Sequence, residues 1–536
     1  MIRINQLTLA ADHKPEAIRK KAARMLRISE DAIEDLTVVR RSVDARKKGQ
    51  LLFSYIVDVR LRPDTKEASV VKKAANVNIR RETEIRYRYP EPGSVRITER
   101  PVVIGAGPAG LFAALALAEN GYMPVICEQG DDVDARTEKV EAFWRLGDEA
   151  LDIRSNVQFG EGGAGTFSDG KLNTLVKDVS GRNRRVLEIF TEAGADSSIL
   201  YDSRPHIGTD VLRTVVKNIR KKIVDAGGEV RFRCRVCDFM EENGRLCGVI
   251  LENGEILRTG QVILAGGHSA RELFAVLERL RVLMEPKAFA VGFRVQHPQS
   301  QINLSQYGQE ENPLLGAAPY KVTAKTFSGR GVYSFCMCPG GFVVNASSEK
   351  GRLAVNGMSN ADRGSGTANS AIIVSVTPGD YPGSGPLAGI RFQKQLEEKA
   401  FSLGSGKIPV QLLGDLRTGK ISERFGDVEP RFCGAYRFAD LSRLMPEELT
   451  GAFLEGMEQF GRKIRGFDRY DAIVAGIESR TSSPVRILRD EQMESSMKGL
   501  FPCGEGAGYA GGITSAAMDG LKVAEELIRR YRPDYA

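Results

Sequence analysis

The chain has 536 residues, enough for two to four domains with a large buried core, and its 42% hydrophobic and 27% charged residues are ordinary values for a globular enzyme. No apolar run reaches the ~18 residues of a membrane span, and the N-terminus lacks the apolar segment of a signal peptide. Eight cysteines in a chain of this size do not indicate a disulfide framework. These features exclude a membrane protein and a disulfide-rich secreted domain, and they predict a cytoplasmic protein with no membrane partner.

Positive charge is concentrated at the start of the chain. The net charge is +7, whereas residues 1–100 carry a net +9 by themselves. One interpretation is an anionic partner, such as RNA or a phosphorylated substrate. The other is a solvated helix face and polar loops, which we favour because acidic residues are interleaved throughout this segment.

Residues 1–95 have the pattern of a small α+β module. Residues 2–9 alternate like a strand, residues 14–26 have helical spacing, and residues 33–40 and 51–61 favour strands. A basic turn is expected at 45–49 between the last two. This β-α-β-β order predicts a ferredoxin-like module, and the segment at 90–94 predicts a linker into the next domain.

The most informative stretch is residues 102–128. A short apolar strand runs into GAGPAG at 105–110, and an Ala/Leu-rich helix and a second strand ending at Glu128 follow. This order predicts a dinucleotide-binding βαβ unit. Gly105 would allow the tight turn, Gly107 would let the backbone approach a pyrophosphate, and Gly110 would let the helix pack closely on the sheet.

The two ends of this unit predict different contacts. The helix N-terminus, with Pro108 and Ala109, would present free N–H groups and its positive dipole end to phosphates. Glu128, beside Gln129, would accept hydrogen bonds from ribose hydroxyls. An acid at this position favours the unphosphorylated ribose of FAD or NAD over NADP.

Two further copies of the glycine pattern lack this context. The copy at 160–165 runs into turn residues at 166–170, and the copy at 506–511 is followed by only 25 residues. Neither makes a second complete βαβ unit, so the sequence contains no separate NAD(P)H domain.

The remaining elements predict a discontinuous nucleotide domain. An excursion of polar helices and loops follows at 130–225, then a hairpin or meander at 228–240 and 246–251, and a strand ending in glycines at 261–267. A separate block at 285–475 has strand-like stretches at 289–296, 333–337 and 341–345, interrupted by Gly/Ser/Pro segments at 362–367 and 377–386. The chain returns with a strand near 500 and a final helix at about 513–531.

This layout resembles the glutathione-reductase-type FAD superfamily and, more narrowly, the uncharacterised bacterial FAD-dependent dehydrogenases described as NAD(FAD)-utilising. The motifs that carry the resemblance are VILAGG at 262–267, LFPCGE at 500–505, FGEGGAGTFSDGKLN at 159–173, RPHIGTDV at 204–211, YSFCMCPGGF at 333–342, ESRTSSPVRIL at 478–488 and PCGEGAGYAGGITSAAMDGL at 502–521.

The resemblance implies an α/β fold in four segments. These are an N-terminal ferredoxin-like α+β module (1–95), a Rossmann-like FAD-binding domain (96–284, with the excursion 130–225), an inserted mixed α/β substrate or cap domain (285–475) and the C-terminal part of the FAD domain (476–536). FAD would be bound non-covalently, and NADH or NADPH would dock transiently at the flavin if either is the donor.

The resemblance also implies the FAD contacts. Glu505 stands where the wider superfamily usually has Asp, one methylene shorter. The backbone at the start of the last helix would stabilise charge on reduced flavin, and the second glycine loop would touch the pyrophosphate or the ring. The expected FAD residues are Gly105, Gly107, Pro108, Ala109, Gly110, Glu128, Gln129, Gly162, Gly163, Ala164, Gly165, Lys171, Ala265, Gly266, Gly504, Glu505, Gly511, Gly512 and Ile513.

The catalytic residues are less well defined. Cys336 and Cys338 would share one face of a strand, either as the substrate-facing wall or as small core residues. His206 and His268 are candidates for an acid, a base or a flavin hydrogen-bond partner. Arg480 begins a polar cluster suited to an anionic substrate or a flavin phosphate. His297 and Arg363 are weaker candidates, for acid/base chemistry and for clamping a carboxylate.

The cysteine spacing also excludes some chemistry. No CxxC or CxxxxC lies near 135–175, which argues against a disulfide reductase of the glutathione or thioredoxin type. Cys234 and Cys237 have CxxC spacing, but residues three apart on a strand point to opposite faces, so we interpret this as coincidence. With no second CxxC, no zinc site is expected.

Together these features predict a FAD-dependent oxidoreductase that transfers a hydride between flavin and an unidentified small substrate. A carboxylated molecule is one candidate for this substrate. A flavin-dependent RNA-modifying protein, using residues 1–95 to hold RNA, is a first alternative. A non-enzymatic FAD-binding redox sensor using Cys336 and Cys338 is a second.

Overall fold

The computed structural model describes residues 1–46 and 51–535 and has a mixed α/β architecture. The basic turn predicted at 45–49 falls mostly outside the described residues. No helix in the described part of the chain is both long and apolar enough to cross a membrane.

The N-terminal module is a four-stranded antiparallel sheet with two helices. The sheet order is β2-β3-β1-β4, and Val57 and Val59 pack with Ala22 and Leu26 of the first helix. The second helix and fourth strand were not predicted, because an eight-residue helix that buries only two side chains leaves too short an apolar pattern. The elements are β1 (Ile2–Ala10), α1 (Glu16–Leu26), β2 (Ile33–Asp44), β3 (Leu52–Leu61), α2 (Glu67–Ala74) and β4 (Ile79–Arg81).

The next part of the chain contains the predicted βαβ unit and the excursion. Its helices and strands are β5 (Val95–Ile97), β6 (Val102–Ile104), α3 (Pro108–Glu119), β7 (Val125–Cys127), α4 (Val133–Leu146), α5 (Arg182–Glu192), α6 (Thr209–Asp225), β8 (Glu229–Arg231), β9 (Val236–Glu242), β10 (Arg245–Leu251), β11 (Ile256–Arg258), β12 (Val262–Leu264) and α7 (Arg271–Arg279).

The last two parts are the block predicted at 285–475 and the C-terminal return. Their elements are β13 (Met284–Pro286), β14 (Phe289–Pro298), α8 (Gln299–Tyr307), β15 (Thr323–Lys325), β16 (Gly331–Cys338), β17 (Phe342–Asn345), β18 (Val355–Met358), β19 (Thr367–Val376), α9 (Ala388–Gly404), β20 (Ile408–Leu412), α10 (Leu413–Thr418), β21 (Phe432–Cys433), β22 (Tyr436–Phe438), α11 (Glu447–Gly461), β23 (Ile473–Glu478), β24 (Val485–Ile487), β25 (Leu500–Pro502), α12 (Ile513–Arg530) and β26 (Tyr531–Pro533).

A five-stranded parallel sheet brings the dinucleotide motifs together. Its order is β25-β12-β6-β7-β8, so strands from three distant parts of the sequence lie side by side. Four of the five strands end at a motif residue: Gly105 follows β6, Glu128 follows β7, Ala265 follows β12 and Cys503 follows the edge strand β25. In parallel sheets, ligands bind at these carboxyl ends.

Helix α3 is buried on all sides because two glycines remove the side chains that would hold its neighbours away. A Cβ at Gly110 would lie 1.9 Å from the carbonyl oxygen of Gly105, and a Cβ at Gly520, on α12, would lie 2.2 Å from that of Ala109. The helix therefore touches its own glycine turn and the C-terminal helix directly through backbone atoms.

The inserted block forms a seven-stranded mixed sheet of order β15-β16-β19-β14-β23-β20-β22. The boundary predicted between residues 475 and 476 falls inside β23, which runs to Glu478. The chain enters this block through β13 and leaves it through β24, and these two strands pair antiparallel. Both connections thus form one two-stranded ribbon.

We expect Gly520→Ala to destabilise the protein by about 1–3 kcal/mol, because the added methyl overlaps the backbone of α3. Thermal and urea unfolding of the two chains measures the change. Gly451→Ala is the matched control: this helical glycine is exposed on α11, and its Cβ would meet nothing within 4 Å. The control should leave stability equal or raise it by up to ~1 kcal/mol. Equal stability of the Gly520 variant and the wild type would contradict this account of the α3–α12 contact.

Candidate functional site

A cavity of about 660 Å³ lies at the carboxyl ends of the parallel strands, between this sheet and the inserted block. The inserted block contributes Phe335, Cys336, Asn356 and Glu478 to its wall. Most of the residues predicted to contact FAD line it: Gly105, Gly107, Pro108, Ala109, Glu128, Gln129, Gly163, Ala164, Gly165, Lys171, Ala265, Gly266, Glu505, Gly511, Gly512 and Ile513.

Three predicted FAD residues do not line the cavity and have packing roles instead. Gly110 allows close contact of α3 with the glycine turn, and an added Cβ would also lie 3.3 Å from Val103 of β6, the strand of the sheet on which the helix was predicted to pack. A Cβ at Gly162 would collide with the side chain of Thr166 at 2.0 Å. The Gly504 N–H donates to Asp519 at 2.7 Å. In this motif, therefore, Asp519 holds the turn and Glu505 faces the cavity.

Two helices direct uncapped N-termini at the cavity. The N-cap residues are Gly107 for α3 and Gly512 for α12, and neither end has a side-chain cap. The N–H groups in the first turn of a helix have no partner within the helix, and they carry its positive dipole end. These two ends are therefore suited to anionic oxygen atoms of a ligand.

Glu128 connects three backbone segments around the cavity. Its carboxylate accepts hydrogen bonds from the N–H groups of Ala106 at 2.8 Å, Gly130 at 2.9 Å and Gly160 at 3.0 Å. A carboxylate has about four acceptor positions, so room remains for about one more hydrogen bond. The sequence predicted a contact with ribose hydroxyls and did not reveal this structural role.

The second glycine loop, at 160–165, is held by a buried arginine that the sequence analysis did not identify. Arg136 is fully buried and donates to the carbonyl oxygens of Asn156, Val157 and Glu161 at 2.7–3.0 Å. Burial lowers the pKa of Arg136 to about 9. The loop also donates from the Gly162 N–H to the carbonyl of Ala106 at 2.8 Å, which places it across the start of α3.

His268 is the histidine candidate that lines the cavity. Its Nδ1 lies 3.3 Å from Glu505 Oε1, and its Nε2 has no hydrogen-bond partner among the described residues. A buried polar atom left without a partner is costly, so this nitrogen is available to a ligand.

The other two histidine candidates do not line the cavity. His206 contacts the carbonyl of Ala361 at 3.3 Å, and burial together with Arg363 lowers its pKa. His297 lies in the core of the inserted block, 2.6 Å from the carbonyl of Phe467. These positions argue against direct roles in catalysis.

Arg480 lines the cavity, but its guanidinium is already paired. It makes two hydrogen bonds to Glu397, at 2.8 and 2.9 Å, and Arg271 binds the same carboxylate from the other side. Although burial acts to raise it, the pKa of Glu397 is held below its usual range by the two arginines. The prediction of an anion-binding Arg480 was therefore wrong. Arg363 is likewise paired, with Asp169 at 2.8 Å.

The prediction that Cys336 and Cys338 share one face of a regular strand was also wrong. The register of β16 against β19 shifts between Phe335 and Cys338, and Cys336 has φ +44°. Because of this bulge, Cys336 lines the cavity while Cys338 is fully buried behind it. Cys234 and Cys237 do not share a strand as predicted, because Cys234 lies in the loop between β8 and β9. Cys237, on β9, donates to the carbonyl of Ile250 at 3.4 Å, whereas Cys234 lies beside Cys127.

A buried ion pair that the sequence analysis missed supports this cysteine segment. Arg294 donates to Glu478 at 2.7 Å and to the carbonyl oxygen of Cys336 at 2.7 Å. Burial raises the pKa of Glu478, which faces the cavity. Lys171 also lines the cavity; its Nζ lies 4.0 Å from Asp169 and has no hydrogen-bond partner among the described residues. Residues so far apart in sequence could be grouped only by the fold.

The position of His297 generates a pH prediction. Burial lowers its pKa from 6.5 to about 4, so the unfolded chain takes up a proton between these values while the folded chain stays neutral. The stabilisation is complete above pH 6.5 and is lost as the pH falls towards 4. The free energy of unfolding of the wild type should fall between pH 7 and pH 4.5. In His297→Gln, which keeps an N–H donor but does not titrate, we expect this fall to be about 2 kcal/mol smaller, as measured by urea unfolding at each pH. Parallel pH profiles of the two chains would refute this assignment.

Comparison with solved structures gives only distant likenesses. L-proline dehydrogenase from P. horikoshii is 14% identical, with 80% of this chain and 93% of that chain covered and a TM-score of 0.33. Glycine oxidase from Bacillus cereus is 12% identical, with 80% and 95% covered and a TM-score of 0.30. Neither likeness is close enough to assign a reaction.

Comparison of sequences is more informative. Residues 288–481 match the family described as "FAD-dependent protein, C-terminal domain-like", and residues 1–60 match a domain of unknown function, DUF8436. The first match confirms the predicted FAD cofactor. An uncharacterized protein of Clostridium beijerinckii is 46% identical over 535 residues, which cover 99% of both chains. The chain therefore belongs to the same family as this Clostridium beijerinckii protein and carries the FAD-dependent C-terminal domain.

Proposed function

We propose that the protein transfers a hydride between flavin and a small substrate that enters beside the inserted block. The observation that carries this proposal is a single cavity with two different ends. Glycine turns and uncapped helix N-termini line one part of it, and polar side chains of the inserted sheet line the other. FAD, when bound, would accept or supply the hydride.

The residues present fit FAD in the orientation implied by the glutathione-reductase-type arrangement. Gly107 and the start of α3 would hold the pyrophosphate, and Glu128 with Gln129 would lie beside the adenosine ribose. Gly511 and Gly512 face open space, because a Cβ on either would meet nothing within 4 Å. The start of α12 would therefore reach the flavin ring closely and stabilise negative charge there.

The division of the chain follows from the same proposal. Residues 96–284 and 476–536 would form the FAD domain, and residues 285–475, extended to the end of β23, would form the substrate domain. Because FAD would occupy much of a 660 Å³ cavity, the remaining space suits a small substrate. With no second complete dinucleotide fingerprint, NADH or NADPH would act as a transient donor.

Side chains of the substrate end supply proton and charge control. Glu478, with its raised pKa, would exchange a proton with the substrate, and Lys171 would balance developing negative charge. Hydride transfer changes the charge at the reacting atoms, so polar groups held in fixed positions around these atoms would lower the barrier.

The N-terminal module does not need to hold RNA in this proposal. Several of its arginines are paired with acids of the same module, including Arg3 with Asp58 at 2.7 Å. Arg41 instead binds Asp202 at 2.7 Å and so ties the module to the rest of the chain. These pairs support the interpretation of its positive charge as a solvated surface.

We expect the purified protein to show an oxidised-flavin absorption spectrum, either directly or after incubation with FAD. Anaerobic addition of NADH and, separately, NADPH should bleach the spectrum if either is the donor. If flavin is bound but neither compound bleaches it, the cofactor assignment stands, and the protein would instead oxidise its substrate directly. Failure to bind flavin under any condition would overturn the proposal.

We expect Gly107→Val to reduce FAD affinity at least 100-fold without unfolding the protein. The backbone here has φ −76°, and the nearest atom to an added Cβ is 3.8 Å away, so the valine fits the apoprotein but fills the pyrophosphate position. Fluorescence titration with FAD measures the affinity, and circular dichroism checks the fold. Gly260→Val, at a glycine that is equally free of neighbours but is not part of the cavity lining, should bind FAD normally.

A further inference from the structure

The cysteine segment of β16 is built in a way that core packing does not require. Positive φ is rare for a residue with a side chain and is maintained only where the surrounding structure imposes it. At Cys336 it is imposed by the bulge and by Arg294, which binds the Cys336 carbonyl. The result is one thiol at the cavity wall and a second thiol directly behind it, with Cys338 Sγ 3.3 Å from the Cys336 carbonyl oxygen.

The electrostatic surroundings make the two thiols unequal. The neighbouring Cys338 side chain, together with the charges of Lys171 and Arg294, lowers the pKa of Cys336 to about 5. The Cys336 side chain, together with burial, raises the pKa of Cys338. At neutral pH the accessible cysteine is thus a thiolate and the buried one is a thiol, which is the division expected between an attacking and a resolving cysteine.

Two further groups at the same end of the cavity await a ligand. Asp169 Oδ1 and Lys171 Nζ are buried atoms of cavity-lining side chains, with no hydrogen-bond partner among the described residues. Asp169 itself is 1% exposed. Opposite charges placed this way suit a small substrate that carries polar groups of both signs.

We propose that Cys336 and Cys338 form a redox-active thiol pair that passes electrons between the bound flavin and a low-molecular-mass disulfide. This inference rests on the proposed function, since the reduced flavin is the electron source. It also defines the substrate class: Cys336 lines a cavity of about 660 Å³, whose size suits a small disulfide.

The chemistry balances in three steps. The Cys336 thiolate attacks one sulfur of the substrate disulfide, whose S–S bond breaks and releases one thiolate. Cys336 is then joined to the remaining substrate sulfur in a mixed disulfide. The Cys338 thiol loses its proton and attacks the Cys336 sulfur, which forms the Cys336–Cys338 bond, breaks the mixed disulfide and releases the second thiolate. The substrate has gained two electrons and, with two protons, leaves as two thiols. Two electrons from reduced FAD then restore the Cys336 thiolate and the Cys338 thiolate, and one proton returns to Cys338.

The first test uses the apoprotein and so does not depend on flavin. We expect the rate at which iodoacetamide alkylates Cys336 to rise with pH with a midpoint near pH 5. Mass spectrometry of each cysteine peptide measures the rate, and the Cys247 peptide is the reactivity reference in the same sample. Lys171→Met should raise this midpoint by about one pH unit, whereas Lys171→Arg, which keeps the charge, should not. A Cys336 midpoint at the ordinary thiol value of about 8.5 would overturn the proposal.

The second test follows the pair itself. Mild oxidation of the apoprotein with diamide should produce a Cys336–Cys338 disulfide in the peptide map, and absence of that disulfide would count against the pair. In the holoprotein, reduced anaerobically with dithionite and freed of excess reductant, hydroxyethyl disulfide should reoxidise the flavin. The rate should fall at least tenfold in both Cys336→Ser and Cys338→Ser, with the flavin spectrum checking that each variant still binds FAD.

The outcomes separate the two proposals. If the apoprotein forms the disulfide but no preparation binds flavin, the proposed function fails, and the electron route to flavin fails with it. If flavin binds and is bleached by a donor, but both serine variants reoxidise as fast as the wild type, the proposed function stands and the thiol pair is refuted.

Discussion

The cavity depends on the hydrogen bonds that the Glu128 carboxylate receives from three separate backbone segments. One N–H comes from the first glycine turn, one from the segment after β7, and one from the second glycine loop. Charge-assisted hydrogen bonds of this kind are stronger than those between neutral groups. Removing the carboxylate would leave three buried donors without partners and would release the two glycine loops that line the cavity.

A second buried charge group ties the inserted block to the nucleotide domain. Glu397 on α9 binds Arg271 at the start of α7 and Arg480 just after β23. Replacing any one member would leave an uncompensated charge in the interior, which costs several kcal/mol. The cluster therefore holds the polar wall of the inserted sheet at a fixed distance from the loop that follows β12.

Local pattern and motif spacing were sufficient to predict the parallel sheet and the glycine turns. The strand ending at Glu128, the glycines after β12 and the helix that starts after Gly512 all lie where the sequence analysis expected them. Each of these features is encoded by contiguous residues, because the turn geometry and the apolar pattern that define it depend only on neighbouring positions in the sequence. Most residues that line the cavity could be predicted for the same reason.

The substrate end could not be predicted in the same way, because its groups meet only in three dimensions. From the sequence, Arg480 was expected to be a free cation, but in the structure it is paired with Glu397, 83 residues away. From the sequence, Cys336 and Cys338 were expected to be neighbours on one strand face, but in the structure a bulge separates them. Arg136 and Arg294 carry no motif at all, and their function is visible only from the carbonyl and carboxylate oxygens around them.

The paired strands β13 and β24 have a consequence for how substrate reaches the site. Because the two connections to the inserted block are hydrogen-bonded to each other, they resist bending and twisting independently, unlike two single linkers. A large swing of the inserted block about either connection would break this pairing. Access for a small molecule is therefore expected to depend more on the side chains that line the cavity than on movement of the whole block.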